Sequence, residues 1–203
     1  MKLHVGLMAA MAFVALTGPG RAADGDQFMV RGDATRTILE QDEINVATAE
    51  AVGKACIDEA VKQGVTVSVA VYDQFGEIVY LYRMDGQPKI AVETAMMKAR
   101  TVLNTLRPSK ANMNEVLTGR SAEIRQVSRG NFPQAGGLPI LINGNQLIGV
   151  IGVGGSAGNL PVWSDEICAW RALTKIMGAQ PPLLPDLQRG AGERGASDRA
   201  RNR

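Results

Sequence analysis

The chain has 203 residues, a net charge of +2 and 45% hydrophobic residues. This length is sufficient for one domain with its own core. The nearly balanced charge gives no reason to expect nucleic acid as a partner. With one histidine, His4, and two cysteines, Cys56 and Cys168, the chain lacks the four nitrogen or sulfur ligands of a structural zinc site.

Residues 1–22 are predicted to be a secretory signal peptide. A short basic start precedes an uncharged apolar run from Val5 to Leu16, and small residues follow, so we expect cleavage after Ala22 or Ala23. The apolar run is too short to span a bilayer. The sequence therefore predicts a periplasmic or secreted protein without a membrane span after cleavage. Because His4 leaves with the leader, the mature chain would lack histidine and the zinc, Ser-His-Asp and histidine-ligated haem chemistry that needs it.

The spacing of apolar residues predicts helices that lie before, between and after two hairpins. Helices are expected at 43–63 after the N-cap Asp42, at 90–106, at 113–117 after the N-cap Asn112, and after the N-cap Ser164. Strands are expected at 37–40, 65–72, 77–83, 138–142 and 147–153. Asn143-Gly144 is typical of a tight hairpin turn, and the polar stretch 118–135 predicts a loop with a short helical turn. The last strand is apolar on both faces and rich in glycine, which predicts close packing of another element on it.

This order of elements predicts one α+β domain at 37–178, in which helices cover a single antiparallel sheet. Asp165 and Glu166 fall in the first turn of the last helix, where the helix dipole favours negative charge. The proline-rich and then arginine- and glycine-rich segment 181–203 is predicted to be a disordered tail. Cys56 and Cys168 each lie in a predicted helix, and either one disulfide or two buried thiols fits them.

Five short motifs occur in a fixed order along the predicted domain. They are Val69–Glu77, Arg83–Gly86, Lys98–Thr101, Gly136–Ile140 and Ile148–Gly155, with Asp165-Glu166 downstream. In this combination the chain resembles the GlcG/HbpS family of small haem-binding-type proteins. The resemblance implies a profilin-like α+β domain, assembly into homo-oligomers and, as in secreted relatives, bound haem. The link at 156–164 is longer and more apolar than the family pattern, which predicts a reshaped cavity mouth or subunit contact.

The resemblance also implies residues for a haem site. Threonine ligation of the iron is implied, and Thr101 is the matching position. Competing candidates, which are more often packing residues, are Tyr80, Tyr82 and Met84. The cations that could pair with propionates are Arg83, Lys98 and Arg100, with ordinary ion pairs to Asp85 or Glu93 as the alternative. Lys98 and Arg100 flank the apolar face of their helix on opposite sides, so one of them is expected to border a cavity.

A site for a small organic acid is the second hypothesis, with or without catalysis. Arg83 and Lys98 would hold the carboxylate of such a ligand. The candidate general bases, of which the last two are more often helix-start residues, are Asp85, Glu93, Asp165 and Glu166. A third interpretation is a secreted interaction module whose oligomer is its working form. The glycine-rich run 152–155 ends a hairpin strand and lacks the strand-to-helix context of a phosphate loop.

Overall fold

The computed structural model describes residues 42–117, 130–156 and 163–185. The predicted leader, the predicted strand at 37–40, most of the polar loop, residues 157–162 of the link and the tail from 186 lie outside these ranges. All described residues belong to one compact unit. None of the helices in this part of the chain has the length and apolar character needed to cross a membrane.

The described ranges contain four helices and four strands, in the order helix, hairpin, two helices, hairpin, helix. The helices are α1 (Val46–Lys62), α2 (Lys89–Thr105), α3 (Ser109–Leu117) and α4 (Asp165–Met177). The strands are β1 (Ser68–Asp73), β2 (Ile78–Arg83), β3 (Gly137–Ile142) and β4 (Gln146–Gly154).

The strands form one antiparallel sheet in the order β2-β1-β4-β3. β1 and β2 form one hairpin and β3 and β4 form another, and the two hairpins meet where β1 pairs with β4. In the β3–β4 turn, Asn143 and Gly144 have φ angles of 51° and 84°, which confirms the tight turn predicted from this dipeptide. The predicted α+β class is also confirmed, since helices cover this sheet.

Two hydrophobic clusters hold the helices to opposite faces of the sheet. The larger cluster joins α1 and α4 to one face and includes Val52, Val69, Ile151 and Leu173. The smaller cluster joins α2 to the other face and includes Ala70, Tyr72, Ala95, Ala99 and Val150. Helices cover β4 on both faces, so side chains on both faces are buried and the strand is apolar at nearly every position. Each large buried aliphatic side chain contributes about 1.5–3 kcal/mol.

Glycines in β4 allow α2 to lie directly on the sheet. A Cβ atom at Gly152 would overlap the Ala95 carbonyl, and one at Gly154 would lie 2.5 Å from the Ala91 carbonyl oxygen. The packing interpretation of these glycines is therefore confirmed. This contact fixes the first half of α2 against the end of β4.

Two predicted helix starts are wrong. Helix α1 begins three residues later than predicted, because Asn45, and not Asp42, caps it: its Oδ1 accepts a hydrogen bond from the Thr48 N–H at 2.9 Å. Helix α3 begins at Ser109, so Asn112 lies inside it. The Pro108 carbonyl accepts from the Ala111 N–H at 2.9 Å, and this first-turn bond starts the helix directly after the proline.

A disulfide joins Cys56 in α1 to Cys168 in α4, with 5.2 Å between the Cα atoms. Both residues are fully buried in the larger cluster. The bond links two helices that cover the same face of the sheet, across a sequence separation of 112 residues.

Residues 181–185 pack against the domain. The Pro181 carbonyl accepts a hydrogen bond from the Trp170 indole N–H at 2.9 Å, and the Leu184 carbonyl accepts one from Lys110 Nζ at 2.9 Å. Proline blocks regular structure but leaves its carbonyl free to accept such bonds. The packed part of the chain therefore extends past the predicted tail boundary at 181.

Candidate functional site

A cavity of about 720 Å³ lies at the end of β4, beside the first half of α2 and the start of α4. One part of its lining is apolar and comes from Pro88, Ile90, Ala91, Met113 and Ala135. The other part is polar and comes from Gln87, Thr94, Lys98, Gln134, Ser156, Ser164 and Asp165, with Gly155 between them. The cavity thus combines an apolar wall with a polar end, as small-molecule sites commonly do.

A buried ion pair between Lys98 and Asp165 lines the polar end of the cavity. Lys98 Nζ lies 2.7 Å from Asp165 Oδ2 and donates a second hydrogen bond to the Val153 carbonyl at 2.9 Å. The other carboxylate oxygen of Asp165 accepts from the Ser156 N–H at 3.0 Å. Only 4% of the Lys98 side chain and 11% of the Asp165 side chain are exposed. The pair therefore ties α2, β4 and α4 together at the cavity.

The local sequence explains why Asp165 lies there. The Ser164 hydroxyl accepts from the Ile167 N–H at 3.3 Å, which confirms Ser164 as the N-cap of α4. Asp165 and Glu166 consequently start the helix, as predicted, where its dipole favours them. The structure adds what the sequence did not indicate: Glu166 is also buried and pairs with Lys110 of α3 at 3.2 Å. Both acidic residues join α4 to other helices.

The two cations predicted to flank α2 have different surroundings. Lys98 lines the cavity, which confirms that one of them borders it. Arg100 is exposed, and its guanidinium lies 6.0 Å from the centre of the Tyr72 ring, a cation–π contact on the sheet. Arg83 and Asp85 are exposed near the end of β2 and are absent from the cavity lining among the described residues.

The nominated iron ligand, Thr101, is fully buried and does not line the cavity. Its hydroxyl donates to the Met97 carbonyl at 2.8 Å and accepts from the Phe132 N–H at 2.7 Å. Both hydrogen-bonding roles of the side chain are therefore used within the protein. This placement argues against Thr101 as a ligand of iron.

The competing candidates on and after β2 have packing roles. The Tyr80 and Tyr82 rings stack with 6.4 Å between their centres. Burial raises the pKa of the Tyr80 phenol, which disfavours the phenolate form that iron binds. Met84 Sδ accepts a hydrogen bond from the Val67 N–H at 3.3 Å.

Glu93 of α2, a candidate base, forms an exposed ion pair with Lys89 at 3.0 Å.

Gln87 is a cavity residue that the sequence did not indicate. It lies in the turn between β2 and α2, next to Pro88, where a polar residue is ordinarily solvent-exposed. In the structure it is only 7% exposed and lines the polar end of the cavity.

No group of three or more histidine, cysteine or acidic side chains suited to a metal ion occurs in the described ranges.

Both the sequence and the fold of this chain are similar to those of known proteins. Residues 44–174 match the family described as "Haem degrading protein HbpS-like". Protein GlcG of Escherichia coli (strain K12) is 35% identical over 119 residues, which are 59% of this chain and 83% of GlcG. The crystal structure of HbpS has a TM-score of 0.60 and 26% identity, and the match covers 74% of this chain and 99% of HbpS.

A crystal structure of a PduOC–haem complex shares the fold, with a TM-score of 0.57 and 22% identity over 66% of this chain and 95% of PduOC. The family match covers well over half of the chain and includes all four strands. The chain therefore belongs to the HbpS-like family, as its sequence motifs predict.

Proposed function

We propose that this protein binds haem in the cavity beside α2. The observation that carries the proposal is a cavity of about 720 Å³ with an apolar wall, in a chain of the HbpS-like family. Small-molecule sites usually span about 300–1,000 Å³, so a ligand of this class fits by volume. The haem complex of PduOC, which has the same fold, supports the proposal.

The residues at the cavity fit haem in part. Pro88, Ile90 and Ala91 offer apolar contacts to a porphyrin face. Met113 lines the same cavity, and a methionine thioether is an established haem-iron ligand. Met113 therefore replaces Thr101 as the proposed iron ligand. Of the nominated propionate partners, Lys98 lines the cavity, but it is already paired with Asp165, so the propionates are not expected to bind there. Bound haem would supply an iron centre; this chain's residues would bind it, orient it and shield one face from water.

Filling the cavity should block haem. Thr94 lies on α2 and lines the cavity, so an indole in Thr94→Trp would occupy space that a porphyrin needs. We expect haemin affinity, measured by titration of the Soret absorbance, to fall at least about tenfold, which is 1.4 kcal/mol.

Glu93→Trp is the matched control, because Glu93 precedes Thr94 on the same helix but is absent from the cavity lining among described residues. The control should bind haemin as the unmodified protein does. Equal affinities for the unmodified protein and Thr94→Trp, with the helical content of both unchanged, would place haem elsewhere.

We propose that the protein is exported. Support comes from the leader-like sequence at 1–22 and from the Cys56–Cys168 disulfide, since disulfides persist mainly in oxidising compartments. Mass spectrometry of the protein expressed in a bacterial host should find a mature N-terminus at Ala23 or Asp24 in the periplasmic fraction. An intact N-terminus in the cytoplasmic fraction would contradict export.

We propose that the protein forms a homo-oligomer through the α2 side of the edge strand β2. Ile78 and Leu81 lie opposite Tyr72 and Ala70, whose side chains contact α2, yet they are 47% and 43% exposed. Light scattering should give a multiple of the chain mass, and Ile78→Lys/Leu81→Lys should reduce it. Val61→Lys, at an exposed apolar position on α1, should leave the mass unchanged. A monomeric unmodified protein would exclude this proposal.

The organic-acid alternative has less support from the geometry. It requires Arg83 and Lys98 to hold one carboxylate together, but Lys98 is buried at the cavity and Arg83 is exposed on β2. Lys98 is also neutralised by Asp165. Haem binding is therefore the preferred function.

A further inference from the structure

The sequence of residues 180–185, here called the strap, favours a polyproline II helix. The strap reads Gln-Pro-Pro-Leu-Leu-Pro and contains the pattern P-x-x-P at 182–185. Proline fixes its own φ angle at about −65° and biases the residue before it towards extended or polyproline conformations. Three of the residues are prolines, and Gln180 and Leu184 each precede one. The chain is therefore restricted to this conformation before the strap contacts the domain.

Two side chains of the domain donate hydrogen bonds to the backbone of the strap. The Trp170 indole N–H donates to the Pro181 carbonyl, and Lys110 Nζ donates to the Leu184 carbonyl, both at 2.9 Å. Residues 181 and 184 are one turn of a polyproline II helix apart, because this helix has about three residues per turn, so their carbonyls face the same side. Such a helix has no internal hydrogen bonds and leaves its carbonyls free to accept. The two donors therefore match the repeat of the helix.

An apolar groove receives the strap. The domain side of the groove is formed by residues of α4 and β3 and by the residue before α3, namely Trp170, Leu173, Leu138, Pro139 and Pro108. Leu183 of the strap packs against the larger hydrophobic cluster. Only about 30 Å³ remain unfilled between the strap and the groove. Several protein modules bind P-x-x-P segments in grooves that are lined by aromatic side chains, and this groove has the same character.

The strap is attached in a way that allows its release. Its three prolines are exposed, and a third contact with the domain is a hydrogen bond of 3.1 Å from Gln180 Nε2 to the Leu141 carbonyl. The strap follows Gly178, which ends α4 with a φ angle of 84° that glycine adopts readily. Segments with few buried apolar contacts open without unfolding of the whole domain. Opening would expose the groove and the donors of Trp170 and Lys110.

We propose that this groove is a binding site for proline-rich segments in the polyproline II conformation, and that the strap is its own releasable ligand. A P-x-x-P segment of a partner protein takes the place of the strap when the strap leaves. The groove and the cavity beside α2 share no lining residue in the described part of the chain. The proposal therefore does not depend on haem.

A peptide with the sequence of residues 178–187 tests the proposal on the full chain, by fluorescence anisotropy of a dye attached to the peptide. In the unmodified protein the tethered strap competes with the peptide, because a short tether gives a roughly millimolar effective concentration. Leu183→Asp places a charge against the hydrophobic cluster and should release the strap. We expect this variant to bind the peptide at least about tenfold tighter than the unmodified protein does. No saturable binding to the variant up to about 1 mM peptide, with its helical content unchanged, would overturn the proposal.

A glycine peptide and two tryptophan variants test how the groove recognises its ligand. Glycine at all three proline positions of the peptide keeps the carbonyls but removes the preformed conformation, so binding should weaken at least about fivefold. Trp170→Phe in the Leu183→Asp background removes one hydrogen bond and keeps a ring, which should weaken binding about three- to tenfold. Trp163→Phe is the matched control and should leave the affinity unchanged, because the Trp163 indole N–H has no partner among the described residues and Trp163 does not line the groove. Equal binding of the two peptides, or equal losses in the two tryptophan variants, would overturn the proposal.

A second variant releases the strap if Leu183→Asp does not fold. Pro181→Gly/Pro182→Gly/Pro185→Gly changes exposed positions only, loosens the strap and leaves the groove intact, so it should also bind the proline peptide tighter than the unmodified protein does. Light scattering should give the same mass before and after release. A fall in mass would assign the strap to the groove of a second copy, against the proposal.

Discussion

Lys98→Met is expected to destabilise the protein by about 3–5 kcal/mol, the usual cost of removing one partner of a buried ion pair. The reason is that Asp165 would remain buried, with 11% of its side chain exposed, and without its cation. Methionine matches the length and volume of the lysine stem, so the packing of α2 on β4 should survive. Urea unfolding followed by circular dichroism measures the change.

Two further variants separate the charge effect from packing. Lys89→Met removes a lysine that is 88% exposed from its pair with Glu93, and it should cost less than about 0.5 kcal/mol. Lys98→Met/Asp165→Asn removes both buried charges and leaves an oxygen at 165 that can accept from the Ser156 N–H. This double variant should recover at least half of the loss. A cost below about 1 kcal/mol for Lys98→Met would show that the pair is not buried in solution.

Removal of the disulfide should have a comparable effect. Cys56→Ala/Cys168→Ala opens a cross-link between positions 112 residues apart. Loop-closure entropy for a loop of this length corresponds to about 4–5 kcal/mol, because the cross-link restricts the unfolded chain. The midpoint of urea unfolding should therefore fall sharply, with the native fold retained.

Reductant provides the internal control for this prediction. Dithiothreitol should lower the unfolding midpoint of the unmodified protein towards that of the variant, and it should leave the variant unchanged. An unmodified protein whose unfolding midpoint equals that of the double variant without reductant would show that the bond contributes nothing to stability.

Local sequence features were sufficient to predict the fold. The β-branched and apolar runs predicted the two hairpins. Asn143-Gly144 predicted the turn between β3 and β4, and both residues have the positive φ angles that this turn requires. Glycine at 152 correctly indicated a closely packed neighbour. These signals act within a few residues, so they can be recognised in the sequence. Helix starts were harder to predict. Asp42 and Asn45 are both good caps, and the hydrogen bond from the Thr48 N–H to Asn45 Oδ1 shows which of them caps α1.

The site depends on contacts that span the sequence. Lys98 and Asp165 are 67 residues apart and meet because α2 and α4 both reach the end of β4. Lys98 and Thr101 belong to one motif, but the long lysine reaches the cavity while the short threonine bonds to the Met97 carbonyl and the Phe132 N–H. The direction of each side chain depends on how α2 packs on the sheet, and the motif alone does not indicate it.

Haemin titration of the purified protein tests haem binding most directly, with the Soret band followed as haemin is added. Our proposal predicts a shifted band that saturates at one haemin per chain. The band of a Met113→Ala variant should differ in position from that of the unmodified protein, since Met113 is the residue proposed to hold the iron. Absorbance that rises without saturation, with a spectrum equal to that of free haemin, would contradict a haem site in this protein.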